Sequence, residues 1–248
     1  MTASSPMLDL HCHILPNIDD GAASLEEALA MARICVRDGM THIVATPHCH
    51  RQWRHLREEI VPRVERLNDA LVKADIALVI LPGSEIQAYN AAQYRRDFEA
   101  KLFCHLGDRS AYTLLEFPWK REEVPADAAD LVAWIVSQGT TPILAHPERH
   151  PYYADEPKRL QDIVDAGAWL QITVDSLTGN HGSAAKSASH ILIRQYPAVV
   201  LSTDAHNLHR CSGLSPGFAW VRDHLGPERA ADLRTRAQQI LTAIRAGV

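Results

Sequence analysis

With 248 residues, 46% hydrophobic and 22% charged, the chain can bury a sizeable core as one globular domain, which excludes a largely disordered protein. A formal net charge of -5, with no Lys/Arg run and no interleaving of basic and aromatic residues, excludes a broad nucleic-acid surface. The five cysteines, Cys12, Cys35, Cys49, Cys104 and Cys211, lack a CxxC pair and stand at irregular spacings, so reduced thiols in a cytoplasmic protein are expected rather than a disulfide framework.

Residues 1–7 carry no export signal and read as a flexible tail, and no stretch approaches the ~20 apolar residues that span a bilayer. Leu8 to His13 is extended, so His11 and His13 project to one side and can grip one cation. Ser24-Leu25-Glu26-Glu27 is a capping box that opens a helix to about Asp38, stopped by Gly39. A buried strand over residues 42–46 ends at Pro47-His48, and a charged helix over about 55–74 follows. The strand over 77–81 leads into Pro82-Gly83-Ser84-Glu85, and residues 87–108 read as a short helix and a loop.

The strand over 112–117 ends on Pro118, and a helix over about 127–137 stops at Gly139. The strand over 141–145 runs into His146-Pro147-Glu148-Arg149-His150, and a helix over about 156–166 follows. Residues 169–174 form a strand, about 183–195 a helix, and 198–203 the last strand, which ends at Asp204-Ala205-His206. Two amphipathic helices near 214–225 and 227–246 close the chain, with no linker to divide it.

Strand then helix, repeated about seven times, is the pattern of parallel βαβ units, and closed barrels of that kind carry their sites at the carboxyl ends of the strands. His11, His13, His48, Glu85, Glu116, His146, Asp204 and His206 fall at such ends, and Asp20 can fold back over the same mouth. Five histidines and four carboxylates suit Mn, Zn or Fe rather than Ca or a thiolate-bound zinc. Each ion takes roughly four to six ligands, so nine donors imply two or three metals. Clustered cations keep hydroxide available at neutral pH, as phosphoester hydrolysis requires.

These residues, in this order, resemble the polymerase and histidinol phosphatase (PHP) family. Within it, His11-Cys12-His13-Ile14 with Asp19-Asp20-Gly21, Thr46-Pro47-His48, Pro82-Gly83-Ser84-Glu85, Leu115-Glu116-Phe117, Ala145-His146-Pro147-Glu148-Arg149 and Ser202-Thr203-Asp204-Ala205-His206-Asn207 resemble the manganese-dependent bacterial protein-tyrosine phosphatases of capsule and exopolysaccharide regulation. The resemblance spans about residues 8 to 210. It implies a distorted (β/α)7 barrel in a single domain, with the nine residues as ligands of a multinuclear centre, Mn first and Fe or Zn as substitutes. It also implies hydrolysis of phosphotyrosine by metal-activated hydroxide, on a partner such as the tyrosine-rich tail of a polysaccharide-assembly kinase.

By the same resemblance Arg149 binds phosphate, and Arg210 is the candidate second arginine, one residue earlier than the family pattern. A guanidinium beside a phosphate neutralises charge that develops in the displacement. The phenol of tyrosine, with pKa ~10, leaves with little help, and Asp20 or a bound water is the candidate acid. The rivals are a phosphoesterase of the same scaffold acting on histidinol phosphate or a nucleotide, an amidohydrolase barrel, and a non-catalytic barrel with structural metals.

Among the other histidines, His50 reads as a loop residue or substrate contact, and His150 and His209 flank the arginines. His42, His55, His105, His181, His190 and His224 read as structural or exposed. Cys12 faces away from the site by alternation, and it and Cys49 are left out of it; no cysteine is followed six residues later by arginine, which disfavours thiol-phosphatase chemistry. Trp53, Trp119 and Tyr152 pack the loops near the mouth or stack on a phenyl ring.

Overall fold

The computed structural model describes residues 6–247. Its strand segments are β1 (Leu8–Cys12), β2 (His42–Ala45), β3 (His48–Cys49), β4 (Val79–Pro82), β5 (Glu85–Gln87), β6 (Tyr112–Glu116), β7 (Thr141–Leu144), β8 (Trp169–Thr173) and β9 (Val199–Ser202). They pair in parallel in the orders β1-β2-β4 and β3-β5-β6-β7-β8-β9. β3 resumes β2 beyond Thr46-Pro47, and β5 resumes β4 beyond Gly83-Ser84, so the segments amount to seven strands.

The interruptions have local causes. Pro47 has no N–H to give to a ladder. At Gly83 an added Cβ would lie 2.6 Å from Val44 Cγ1, so only glycine lets the two strands approach there. The sheet closes on itself where β9 meets β1. Cys12 and Ala205 form a parallel bridge, Asp204 N donates to His11 O at 2.9 Å, and His13 N donates to Ala205 O at 2.8 Å.

The helices are α1 (Leu25–Asp38), α2 (Arg57–Lys73), α3 (Ala91–Glu99), α4 (Ala128–Ser137), α5 (Pro151–Asp155), α6 (Pro157–Asp165), α7 (Val174–Thr178), α8 (Gly182–Gln195), α9 (Ser215–Leu225) and α10 (Pro227–Ala246). The capping box at α1 forms with one change, Glu27 reaching back to the N–H of Ala23 rather than of Ser24. Glu27 N donates to Ser24 Oγ at 3.2 Å, and Ala23 N donates to Glu27 Oε2 at 2.9 Å. Gly39 ends that helix in the left-handed region, at φ 97°.

Two apolar layers follow from the period-2 alternation of the strands. Outward residues such as Ile43, Leu115, Leu144 and Leu201 pack under the helices. Leu8, Leu10, Val44, Leu114, Ile143, Ala145 and Val200 face the lumen, where Ile240, Leu241 and Ile244 of α10 join them. Burying each of these larger side chains contributes about 1.5–3 kcal/mol, and together they fix the strands on which the polar layer above them stands.

The architecture is the expected barrel in one domain, with local differences. Strands continue past Thr46 and Gly83, so His48 and Glu85 begin further strand segments instead of ending strands. α5 and α7 are too short to leave a periodic signal. In the supposed tail, residues 1–5 lie outside the described residues, whereas Met7 is tied down: its N donates to Thr41 Oγ1 at 3.0 Å, and Thr41 N donates to its carbonyl at 3.0 Å. Among the described residues no helix is long and apolar enough to cross a membrane.

Candidate metal centre

The inward alternation carries the lumen positions upward into one polar layer. Val44 leads by steps of two to His48, Leu81 to Glu85, Leu114 to Glu116, and Val200 to Asp204. Two strands break that rhythm. Between β1 and β2 the register shifts from Asp9↔Ile43 to Cys12↔Ala45, an extra residue that exchanges the faces of β1 beyond Leu10. His11 and His13 thereby turn into the lumen, and Cys12 turns outward into the helix-side core. At the end of β7, His146 takes φ 32° and ψ 52°, a left-handed conformation that swings its ring inward. Asp204 is also left-handed, at φ 52°. Such non-glycine residues cost of order 1–3 kcal/mol and gather where function demands them.

The structure brings all nine expected donors together. His11 Nε2 lies 3.2 Å from His13 Nε2, and Asp204 Oδ1 is 3.2 and 3.5 Å from those two nitrogens. Glu85 is central. Its Oε1 is 2.8 Å from His146 Nε2 and 3.5 Å from His11 Nε2, and its Oε2 is 2.8 Å from His48 Nδ1 and 3.6 Å from His13 Nε2. Glu116 stands 4.0 Å from His146 Nε2. Asp20, the half-exposed member, reaches His48 Nε2 at 3.2 Å and His206 Nε2 at 3.6 Å. The donors fall into overlapping groups, among them His13/Asp20/His48/His206, His11/His13/Asp204, His11/Glu85/His146 and His48/Glu85/Glu116.

Residues that sequence reasoning passed over orient these donors. His13 Nδ1 donates to Asp19 Oδ2 at 2.8 Å, and Asp19 also accepts from His48 N and Gly21 N, each at 3.0 Å. His11 Nδ1 is 3.1 Å from Gln171 Oε1, which also accepts from His146 N. His206 Nδ1 donates to Asp204 O at 2.8 Å. With Nδ1 occupied in all three rings, the Nε2 lone pairs face the centre. Gly21 is required by close approach, because a Cβ there would lie 2.0 Å from His13 O. Asp9 staples the barrel seam by accepting from Thr203 N and Oγ1. Of these, only Asp19 and Gly21 stood in a motif, Asp19-Asp20-Gly21, and spacing cannot say which of the two acids turns inward.

The electrostatics fit cations. His11 Nε2 and His13 Nε2 face each other as lone pairs, which repel unless something positive lies between them. His48 Nδ1 and Glu85 Oε2 are buried without a hydrogen bond despite their proximity. Burial raises the Glu116 carboxyl to about 8, with the neighbouring Glu85 charge adding to it. Against burial and the charge of His48, Asp19 and Asp204 lift His13 to about 9. Burial, reinforced by the charge of His13, pushes His206 down to about 3. Imidazoles this close cannot all hold protons, whereas divalent ions would satisfy the same donors at once.

The two arginines arrive from different loops and meet at Asp204 Oδ2. Arg149 Nη1 pairs with that oxygen, and Arg210 Nη2 lies 3.3 Å from it. Arg149 therefore pairs with Asp204 and not with Glu148, whose Oε1 accepts from Thr173 N. Trp119, 45% exposed, stacks on His150 at 4.3 Å and carries the Arg149 guanidinium 5.1 Å from its ring. Trp53 stacks on His48 at 5.5 Å, while Tyr152 is buried with its hydroxyl donating to Pro118 O. His150 is buried against Trp119, with both ring nitrogens free of hydrogen bonds and near Glu116 and His146. His50 is a loop residue whose Nδ1 accepts from Gln52 N at 3.0 Å, and His209 is exposed.

The sequence profile of the family described as capsular polysaccharide synthesis, CpsB/CapC, matches residues 7–242. The chain is 38% identical over 204 residues to tyrosine-protein phosphatase YwqE of Bacillus subtilis, covering 82% of this chain and 78% of YwqE. It is 27% identical to tyrosine-protein phosphatase CpsB of Streptococcus pneumoniae over 234 residues, 92% of this chain and 94% of CpsB. A solved structure from work on those two proteins, described as metal-dependent tyrosine phosphatases, superposes with TM-score 0.89 at 33% identity, covering 95% of this chain and 94% of the other. The phosphotriesterase homology protein of Escherichia coli shares the fold alone, at TM-score 0.53 and 11% identity over 94% of this chain and 98% of its own.

Proposed function

This chain belongs to the CpsB/CapC family of capsular polysaccharide synthesis and is a metal-dependent tyrosine-protein phosphatase; we propose that its nine converging donors hold two or three divalent ions, Mn first, and that Arg149 and Arg210 hold the phosphate. The observation that carries this reading is that two guanidiniums share one oxygen of Asp204 while its other oxygen lies among the imidazoles. The arginines proposed for phosphate and the imidazole cluster thus meet on one carboxylate. His11, His13, Asp20, His48, Glu85, Glu116, His146, Asp204 and His206 are the proposed ligands.

Divalent ions bound there supply positive charge to phosphoryl oxygens and lower the pKa of water. The residues of the chain do the rest. Arg149 and Arg210 leave Asp204 Oδ2 to form charge-assisted bonds to the phosphate, which fix its orientation and stabilise charge that grows during displacement. Asp19 and Gln171 hold the His13 and His11 rings, so the donors need not reorganise. Trp119, partly exposed beside the Arg149 guanidinium, offers an indole edge against which a tyrosine ring can pack.

Half-burial works against the charge of Asp20, but the His48 hydrogen bond and the nearby imidazoles hold its carboxyl below the usual range. An ionised Asp20 suits cation binding better than proton donation. Phenolate, with pKa ~10, leaves without strong acid assistance. The physiological substrate in this reading is a phosphotyrosine protein, such as the tail of a polysaccharide-assembly kinase, and the site of action is the cytoplasm.

The test compares a tyrosine-phosphorylated peptide with histidinol phosphate after chelation and after Mn add-back. Turnover of the peptide that vanishes on chelation and returns with Mn is expected. Rapid turnover of the small alcohol ester alone would favour the rival phosphoesterase, and folding loss without activity in either state would favour structural metals.

A further inference from the structure

Beside the cluster lies a groove of about 700 Å³ whose near end is formed by Trp119, Arg149 and His150. One wall runs through α5 and into α6, with Tyr153 and Leu160. The other wall is α8. Along α8, Ala184, Ala188 and Ile191 stand at i, i+4 and i+7, so they share one face. The alanines keep that wall concave, and Ile191 is 59% exposed although large and apolar. The groove and the proposed phosphate site share Arg149. Arg149 lines the groove, and its guanidinium lies on Asp204.

We propose that this groove takes an apolar or aromatic side chain within three residues of the phosphotyrosine in the protein substrate, so that the enzyme reads local sequence as well as the phosphoester. The inference rests on the phosphotyrosine reading above. An extended peptide advances about 3.3 Å per residue, so two or three residues cover the reach of one long side chain such as Arg149. A substrate chain leaving the mouth past Trp119 enters the groove directly. A small phosphate ester would leave it unused.

The experiment measures kcat/KM for phosphotyrosine peptides carrying Leu or Phe, against Gly or Asp, within three residues on either side. p-Nitrophenyl phosphate serves as the control ester. Wild type, Ile191→Asp and Ala184→Glu are compared; both substituted positions are exposed, so folding is kept. The expected result is a preference of about tenfold or more for the apolar peptides. Either substitution erases that preference and leaves p-nitrophenyl phosphate turnover unchanged.

Equal rates for all peptides in wild type would overturn the groove proposal alone, as would variants that slow the control ester equally. No turnover of any phosphotyrosine peptide would remove the reading beneath it, and the groove proposal with it. A dimer in sedimentation that Ile191→Asp dissolves would assign the groove to a second copy and overturn the proposal.

Discussion

Asp19→Asn is the most direct probe of how the first loop arms the centre. Asp19 Oδ2 accepts from His13 Nδ1 at 2.8 Å and from His48 N at 3.0 Å, while Oδ1 accepts from Gly21 N at 3.0 Å. Asparagine has one acceptor oxygen, so its best orientation keeps the first two bonds and sets its NH2 against the Gly21 N–H. One donor is orphaned, at about 1–3 kcal/mol, and two charge-assisted bonds become neutral ones, so the sum is about 2–4 kcal/mol of stability. For a chain of this size that is a Tm lower by about 5–15 °C. Burial opposes the Asp19 charge, but its donors hold the carboxyl well below the usual aspartate pKa of about 3.9, so this stabilisation is complete above that pH and lost only on acidification. His13 also loses the partner that keeps its Nε2 lone pair on the centre, and metal affinity falls about 10–100-fold. Calorimetric Mn titration and urea unfolding, run on both proteins at pH 7, read the two effects. A variant with wild-type affinity and wild-type stability would refute the argument that Asp19 positions a ligand.

Arg149→Ala should lower kcat by about 10²–10³-fold with metal per chain unchanged, because it removes the proposed phosphate contact and none of the nine donors; wild-type turnover in single-turnover assays would reject the assignment. Burial of His105 against Phe98 and Phe103 lowers its pKa to about 4. Since the unfolded ring binds a proton below about 6.5 and the folded one does not until about 4, stability is lost as pH falls through that window, by about 2 kcal/mol between pH 7 and pH 5. His105→Leu should flatten that part of the urea-unfolding profile; an unchanged profile would show that the ring titrates freely in the folded state.

Most strand and helix positions were legible because alternation and the 3.6-residue period are local. Val44, Leu114 and Val200 each sit in runs whose neighbours fix their phase. The candidate donors were legible for the same reason, since strand ends in a parallel barrel share one mouth. Continuation of strands past Pro47 and Gly83 was not, because breaker residues end a local pattern even where a neighbouring strand restores pairing. The bulge after Asp9 and the left-handed turn at His146 were equally hidden. Each exists because the closed barrel over-determines a backbone that the isolated segment would avoid.

Taken alone, the amino-acid order determined repeated strand–helix units of the parallel kind and, at the strand ends, a set of imidazoles and carboxylates suited to cations. Tertiary structure decided that Asp19 braces His13, that Gln171 bridges His11 and His146, and that both arginines rest on one oxygen of Asp204. The physical reason is range. Periodicity and capping act over a few residues, whereas Gln171 reaches His11 across 160 residues and Arg149 reaches Asp204 across 55, and the short-range pairs, Asp19 with His13 and Arg210 with Asp204, depend on how each loop turns back over the mouth.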